Sequence, residues 1–177
     1  KMDKINEMLD EARFLKNELG EAKKAIKLCD KILKSEPDNR DAMLIKAGGL
    51  KELGEAEQFI TLANGIIKKW PAHWEAYYLL SLFSFALKED DKALELMSKS
   101  LSLEQNFNNV ISYGQMLYLE GDHSYLEYVD KAKKIDAKRA KNFMKNHWIW
   151  NENALQPTVM EELMALKFIK NLRKFKK

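Results

Sequence analysis

Three histidines, one cysteine, a glycine pair and an acidic triplet are the obvious candidates for chemistry in this chain. Their spacing does not assemble a reaction centre. His73, His123 and His147 are far apart in sequence, and none sits in an H-E-x-x-H or Cys/His pattern that would hold zinc. Each reads as a polar residue at a turn or a helix end. Cys29 falls among Ala25, Ile26, Ile32 and Leu33 on an apolar stripe, which suits a buried, inert thiol better than a nucleophile. Gly48-Gly49 lies inside a helical pattern and lacks the loop that cradles phosphate, so close helix packing explains it better. Glu89-Asp90-Asp91 lacks the spacing of a calcium loop and reads as a turn before a helix. No metal, no cofactor and no enzymatic activity are expected. Trp70 and Trp74 flank Pro71 and suit the packing of a turn, while Trp148 and Trp150 suit core or cap packing, or an interface anchor.

The elements that carry these residues are helical. The 177 residues include only 7 Gly and 3 Pro, with 46% apolar and 32% charged side chains. Few turns and abundant Lys, Glu, Leu and Ala imply long helices around a core. One cysteine excludes an internal disulfide and fits a reducing, cytoplasmic setting. No apolar run reaches the ~20 residues needed to span a bilayer, and no signal peptide is visible. Net charge is +3, but residues 1–70 carry +1, residues 71–136 carry −5 and residues 137–177 carry +7. A basic tail beside an acidic middle fits internal pairing, an acidic partner, an anionic membrane surface or a solvated helical face. Basic residues interleave with aromatic ones in the tail, but no nucleic-acid-binding motif is present.

Sliding the sequence against itself by 34 residues aligns Leu19, Leu53 and Leu87; Ile26, Ile60 and Leu94; Leu28, Leu62 and Leu96; Gly20 and Gly54; Pro37 and Pro71. Within one period, residues 21–35 place Ala22, Ala25, Ile26, Cys29, Ile32 and Leu33 on one helical face. Gly20 breaks the chain before that helix and Pro37 forbids its continuation. Helices are expected at 41–53, 74–87 and 92–103, with a fourth hairpin near 108–136. Leu28, Leu62 and Leu96 are expected to be buried.

These features resemble the tetratricopeptide repeat family: Leu19-Gly20, Ala25-Ile26, Lys31-Ile32-Leu33 and Glu36-Pro37 in one unit, Ala93-Leu94 and Lys99-Ser100-Leu101 in a later one. The resemblance covers roughly residues 6–136. It implies an all-α fold, a right-handed superhelix of antiparallel helix pairs with C-terminal capping helices: about four hairpins in 1–136 and a basic tail in 137–177. Two positions depart from the family pattern: Arg13 stands where a small residue is usual, and Phe59 where Ala is usual.

In that family the first helix of each pair lines a concave groove. Carried over, the face comprises Glu7, Asp10, Phe14 and Asn17, then Asp41, Leu44, Gly48 and Lys51, then Glu75, Tyr78, Leu82 and Phe85, then Asn109, Ser112, Met116 and Leu119. Gly48 would leave a notch for a ligand side chain. The resemblance implies an adaptor or scaffold that binds a peptide or helix, with apolar anchors and basic residues opposite the edge acids. A subset of the family grips a chaperone's terminal carboxylate with Lys, Asn and Arg; the matching Asp10, Phe14, Ile45, Glu75 and Leu79 do not fit that role. The alternative is a self-assembling structural protein whose C-terminal helix docks on a neighbouring chain.

The tail carries Ala137, Ala140, Phe143, Met144, His147 and Trp148 on one helical side. After a break at Asn151-Glu152-Asn153, Thr158 and Glu161 form a capping box that opens an apolar stripe of Val159, Leu163, Leu166, Ile169 and Leu172. A cap on the last repeat, an interfacial membrane helix and a helix for a partner's groove all fit that pattern.

Overall fold

The computed structural model describes residues 2–146, and those residues form helices α1 (Met2–Asn17), α2 (Ala22–Ser35), α3 (Arg40–Leu53), α4 (Ala56–Lys69), α5 (Trp74–Ala86), α6 (Asp90–Leu103), α7 (Phe107–Leu119), α8 (Tyr125–Ile135) and α9 (Ala137–Asn146), with no strand among them. They fall into two compact units that meet within α5, the first running to Leu79 and the second from Leu80. The Thr158–Glu161 capping box, the apolar stripe after it, His147, Trp148 and Trp150 lie outside the described residues.

In the first unit α1 packs on α2, α2 on α3 and α3 on α4. Ile5, Leu9 and Ala12 of α1 meet Ala25, Cys29 and Ile32 of α2 and Ala42 and Ile45 of α3 in one buried cluster. The start of α3 is fixed by Asn39, whose side chain accepts a hydrogen bond of 3.0 Å from the Ala42 amide. Its end is fixed by Gly54, which takes the left-handed conformation at φ 73° and returns its amide to the carbonyls of Leu50 and Lys51. Gly49 lets α3 lie close to α2, because a Cβ there would sit 3.0 Å from Ile26 Cγ1. That accounts for one half of the glycine pair as packing.

The second unit comprises the end of α5 with α6 to α9. Ser81 Oγ donates to the Ala93 carbonyl at 2.6 Å, tying α5 to α6 from a buried position. α7 and α8 approach closely at Gly114, where a Cβ would lie 3.0 Å from Tyr128 Cβ. Of the expected apolar side of the 136–150 helix, Ala140 is fully buried on α9 and Phe143 meets Phe107 edge to face at 6.5 Å. Arg139 covers the other face of α9's contact, 4.2 Å from the Phe107 ring centre, and donates to Asn108 Oδ1 at 2.8 Å.

The 34-residue periodicity is carried into the core by different rows from the one expected. Ala25, Phe59 and Ala93 are fully buried, as are Cys29, Ala63 and Met97, and then Ile32, Ile66 and Ser100. Leu28, Leu62 and Leu96 are only half-buried. Each stands one residue before the Cys29 row, about 100° round the helix, and so lies on the flank of the stripe. The acidic triplet is likewise displaced: the turn precedes it and α6 already starts at Asp90.

That turn places Lys88 at φ 62°, in register with Gly20 at 65° and Gly54 at 73°. The third repeat therefore forces a side chain into a conformation that its predecessors give to glycine, at a cost of roughly 1 kcal/mol. Lys88→Gly is expected to raise the denaturation midpoint by a corresponding amount. A variant less stable than the parent would show that contacts of the Lys88 side chain outweigh its backbone strain.

Candidate functional site

The face expected to bind a ligand falls into two parts, one in each unit. In the first, α1 contributes Asp10 and Phe14, α3 contributes Asp41, Leu44, Gly48 and Lys51, and the start of α5 contributes Glu75 and Tyr78. These helices do bring their charged groups together. The Glu75 carboxyl feels the fields of Lys16, Asp41, Arg13 and Arg40. Phe14 is 54% exposed, a large apolar side chain that the core does not use. Tyr78 is half-buried, with its ring tilted against Trp74 at 5.9 Å between centres.

Three expectations for this face need correction. Leu44 is buried, at 5% exposure, and belongs to the packing of α3 rather than to a surface offered to a ligand. The notch at Gly48 is filled: the Lys16 side chain runs over it, 3.4 Å from where a Cβ would stand. Two of the edge acids, Asp10 and Asp41, are also not free to attract a basic ligand. Arg13 lies between α1 and α3 and donates to Asp10 Oδ1 at 3.0 Å and to Asp41 Oδ2 at 2.7 Å, with Arg40 3.8 Å from Asp41 as well. Arg13 thus occupies the site of a usual small residue because it bridges two first helices. The sequence signal was Asp10 three residues before it; nothing local marked Asp41.

Lys51 was expected on this face from the sequence, and Lys16 was not. Lys16 is mostly buried and pairs with Glu52 at 3.4 Å. Burial lowers the affinity of Lys51 for its proton, Lys16 adds to that effect, and Glu52 opposes it. Burial also raises the Glu75 carboxyl above its ordinary range; Lys16 opposes the shift and Asp41 adds to it.

Glu75 therefore makes a pH prediction. Its raised pKa in the folded state means that the native chain binds the proton more tightly than the unfolded chain. Stability is then lost as pH rises from the ordinary carboxylate range through the folded value. Glu75→Gln should be more stable than the parent at neutral pH, and the advantage should shrink toward zero in acid. Urea titrations at a series of pH values check this; an advantage that grows on acidification would contradict the burial of the charged form.

In the second unit, Leu82 and Phe85 of α5 and Ser112 of α7 are half-buried. Asn109, expected on the same face, is fully buried, and Met116 is not a surface residue either: it is 2% exposed and its sulfur lies 3.8 Å from the buried Ser81 hydroxyl. The reason is its position on α7, which turns Met116 and Leu117 together into the core.

Among the described residues, no group of three or more His, Cys, Asp or Glu side chains stands close enough to hold a metal ion. His73 and His123 belong to separate turns. Burial, reinforced by Asp30, pushes the Cys29 thiol up to about 11, the behaviour of a core residue and not of a nucleophile. No helix of the described residues is long and apolar enough to cross a membrane.

No family model matches the sequence, and no curated protein matches it. Solved structures do. A protein described as a thermophilic TPR protein in Thermus thermophilus superposes with a TM-score of 0.67 at 14% identity, over 95% of this chain and 98% of that one. The fold is that of tetratricopeptide repeat proteins. MamA residues 41–end from Desulfovibrio magneticus RS-1 gives a TM-score of 0.58 at 23% identity, over 76% of this chain and 77% of that one. Another MamA crystal structure gives 0.57 at 19% identity, over 90% and 95%. A tetratricopeptide fold hosts many functions, so these likenesses establish architecture, and the function has to be argued from the face itself.

Proposed function

We propose that this tetratricopeptide chain is a protein-interaction scaffold that holds a peptide or helix against its first-helix face. The observation that carries this reading is Phe14, 54% exposed on α1, the helix whose Arg13 and Lys16 pair with acids of α3. Exposed aromatic side chains are frequent anchors in binding surfaces. Phe14 is not required by the core cluster of α1, which Ile5, Leu9 and Ala12 supply. Tyr78, on the next first helix but one, extends the same face.

The test separates binding from folding. Wild-type and Phe14→Ala protein are compared on an array of 12-residue peptides carrying a central Phe or Leu. The variant should keep its melting temperature, because the side chain is mostly in solvent, and should lose roughly thirtyfold in affinity if Phe14 is a central anchor. Unchanged binding by Phe14→Ala would remove this face as the binding site.

A further inference from the structure

Around Phe14 the charged groups of the first unit differ in whether they already have a partner. Asp10 and Asp41 share Arg13, Glu52 takes Lys16, and Asp30 takes Lys46. Glu75 and Lys51 make no ion pair with a described residue, although both are half-buried. They stand at opposite edges of the face. Glu75 occupies the second position of α5, as Asp41 does in α3; Lys51 lies ten residues beyond Asp41, which is about 15 Å along the helix.

Their signs suit the helix dipoles, an acid near an N-terminus and a cation near a C-terminus. That benefit is equally available to exposed side chains and does not account for burial. Withdrawing an ammonium and a carboxylate from water without partners costs stability. A face that keeps both at that cost has two unfilled electrostatic positions of opposite sign among the described residues.

We propose that this face binds a protein segment bearing a carboxylate for Lys51, a Lys or Arg for Glu75 and an apolar side chain for Phe14. The inference rests on the binding role argued above for the same face and adds the ligand's chemistry and direction. An extended segment covers about 15 Å in roughly five residues, and the step from α3 to α5 adds to that axial rise, so the two charges should be at least about five positions apart. Because one edge calls for an anion and the other for a cation, the segment binds in one direction. A purely basic ligand is disfavoured, since Arg13 already neutralises Asp10 and Asp41.

The experiment uses the full chain and an array of 12-residue peptides with a central Phe. The peptides carry Glu and Lys five positions apart in either order, Glu alone, Lys alone, or neither. Wild type should bind one order at least about tenfold more tightly than the other and than the uncharged peptide. Lys51→Met should abolish the benefit of Glu and keep that of Lys; Glu75→Gln should do the reverse. Both variants remove a half-buried unpaired charge, so their melting temperatures should hold or rise, and Lys51→Arg should restore the dependence on Glu. Binding that depends on Phe14 but ignores charge order, or survives both variants unchanged, would overturn this inference alone. Absence of binding by every peptide would overturn the role of the face and this inference with it.

Discussion

Phe59→Ala is expected to lower the unfolding free energy by about 3–5 kcal/mol. Phe59 has no exposed surface, and its counterparts one repeat earlier and later are Ala25 and Ala93. The second repeat therefore encloses a phenyl ring where its neighbours enclose a methyl group. Helices that have packed around the ring cannot close fully when it is removed, so the loss comprises both the transfer of the ring from water and the cavity left behind. The neighbouring Ile60 provides a control on the same helix: it is 38% exposed, and Ile60→Ala should cost no more than about 1 kcal/mol. Urea denaturation of the two variants checks both values. A loss below about 1 kcal/mol at Phe59 would mean that the buried face of α4 has been misassigned.

The sequence made the helices legible because two signals reinforced each other. The 34-residue spacing located the repeats, and Gly20, Pro37, Gly54 and Pro71 marked their breaks. Periodicity was less able to decide which of two adjacent rows faces inward. Leu28, Leu62 and Leu96 repeat faithfully and are large and apolar, yet the smaller Cys29 and Ala63 beside them are the residues fully enclosed. A helix stripe is about 100° wide, so its flank attracts leucine while its centre, closest to the next helix, admits only what fits. The same limit applies to the face expected to bind a ligand: Phe14 is exposed, whereas Leu44 and Met116 turn inward. Charge pairing was the least legible feature. Arg13 meets Asp41 across 28 residues and Lys16 meets Glu52 across 36, and nothing in local spacing distinguishes those pairs from solvated charges.

Asn109→Leu is expected to cost roughly 2–4 kcal/mol, although it replaces a polar side chain by an apolar one of similar size in a fully buried place. The reason lies in the three groups that Asn109 serves. Its Oδ1 accepts from the Asn106 amide at 2.9 Å; its Nδ2 donates to the Glu104 carbonyl at 2.6 Å and to Ser100 Oγ at 3.2 Å. Asn106 in turn caps α7 by accepting from the amides of Asn108 and Asn109 at 3.0 and 3.2 Å. One amide side chain thus ties the last turn of α6, the connecting loop and the first turn of α7. Ser100 is the register partner of Ile32 and Ile66, so the third repeat has exchanged an apolar core residue for a hydroxyl that Asn109 satisfies. Leucine would leave that hydroxyl buried without this bond and would free half of the capping box. Asn109→Asp separates the donor role from the acceptor role. An ionised carboxylate can still accept from the Asn106 amide but would face the Glu104 carbonyl with no proton to give. The folded state would then favour the protonated acid, raising its pKa, and stability would fall as pH rises through and above the ordinary carboxylate range. The leucine variant should show no such added pH dependence relative to the parent. Urea midpoints for both variants between acid and neutral pH provide the measurement. A leucine variant within about 1 kcal/mol of the parent, or an aspartate variant that gains stability as pH rises, would show that the α6–α7 connection does not depend on the Asn109 hydrogen bonds.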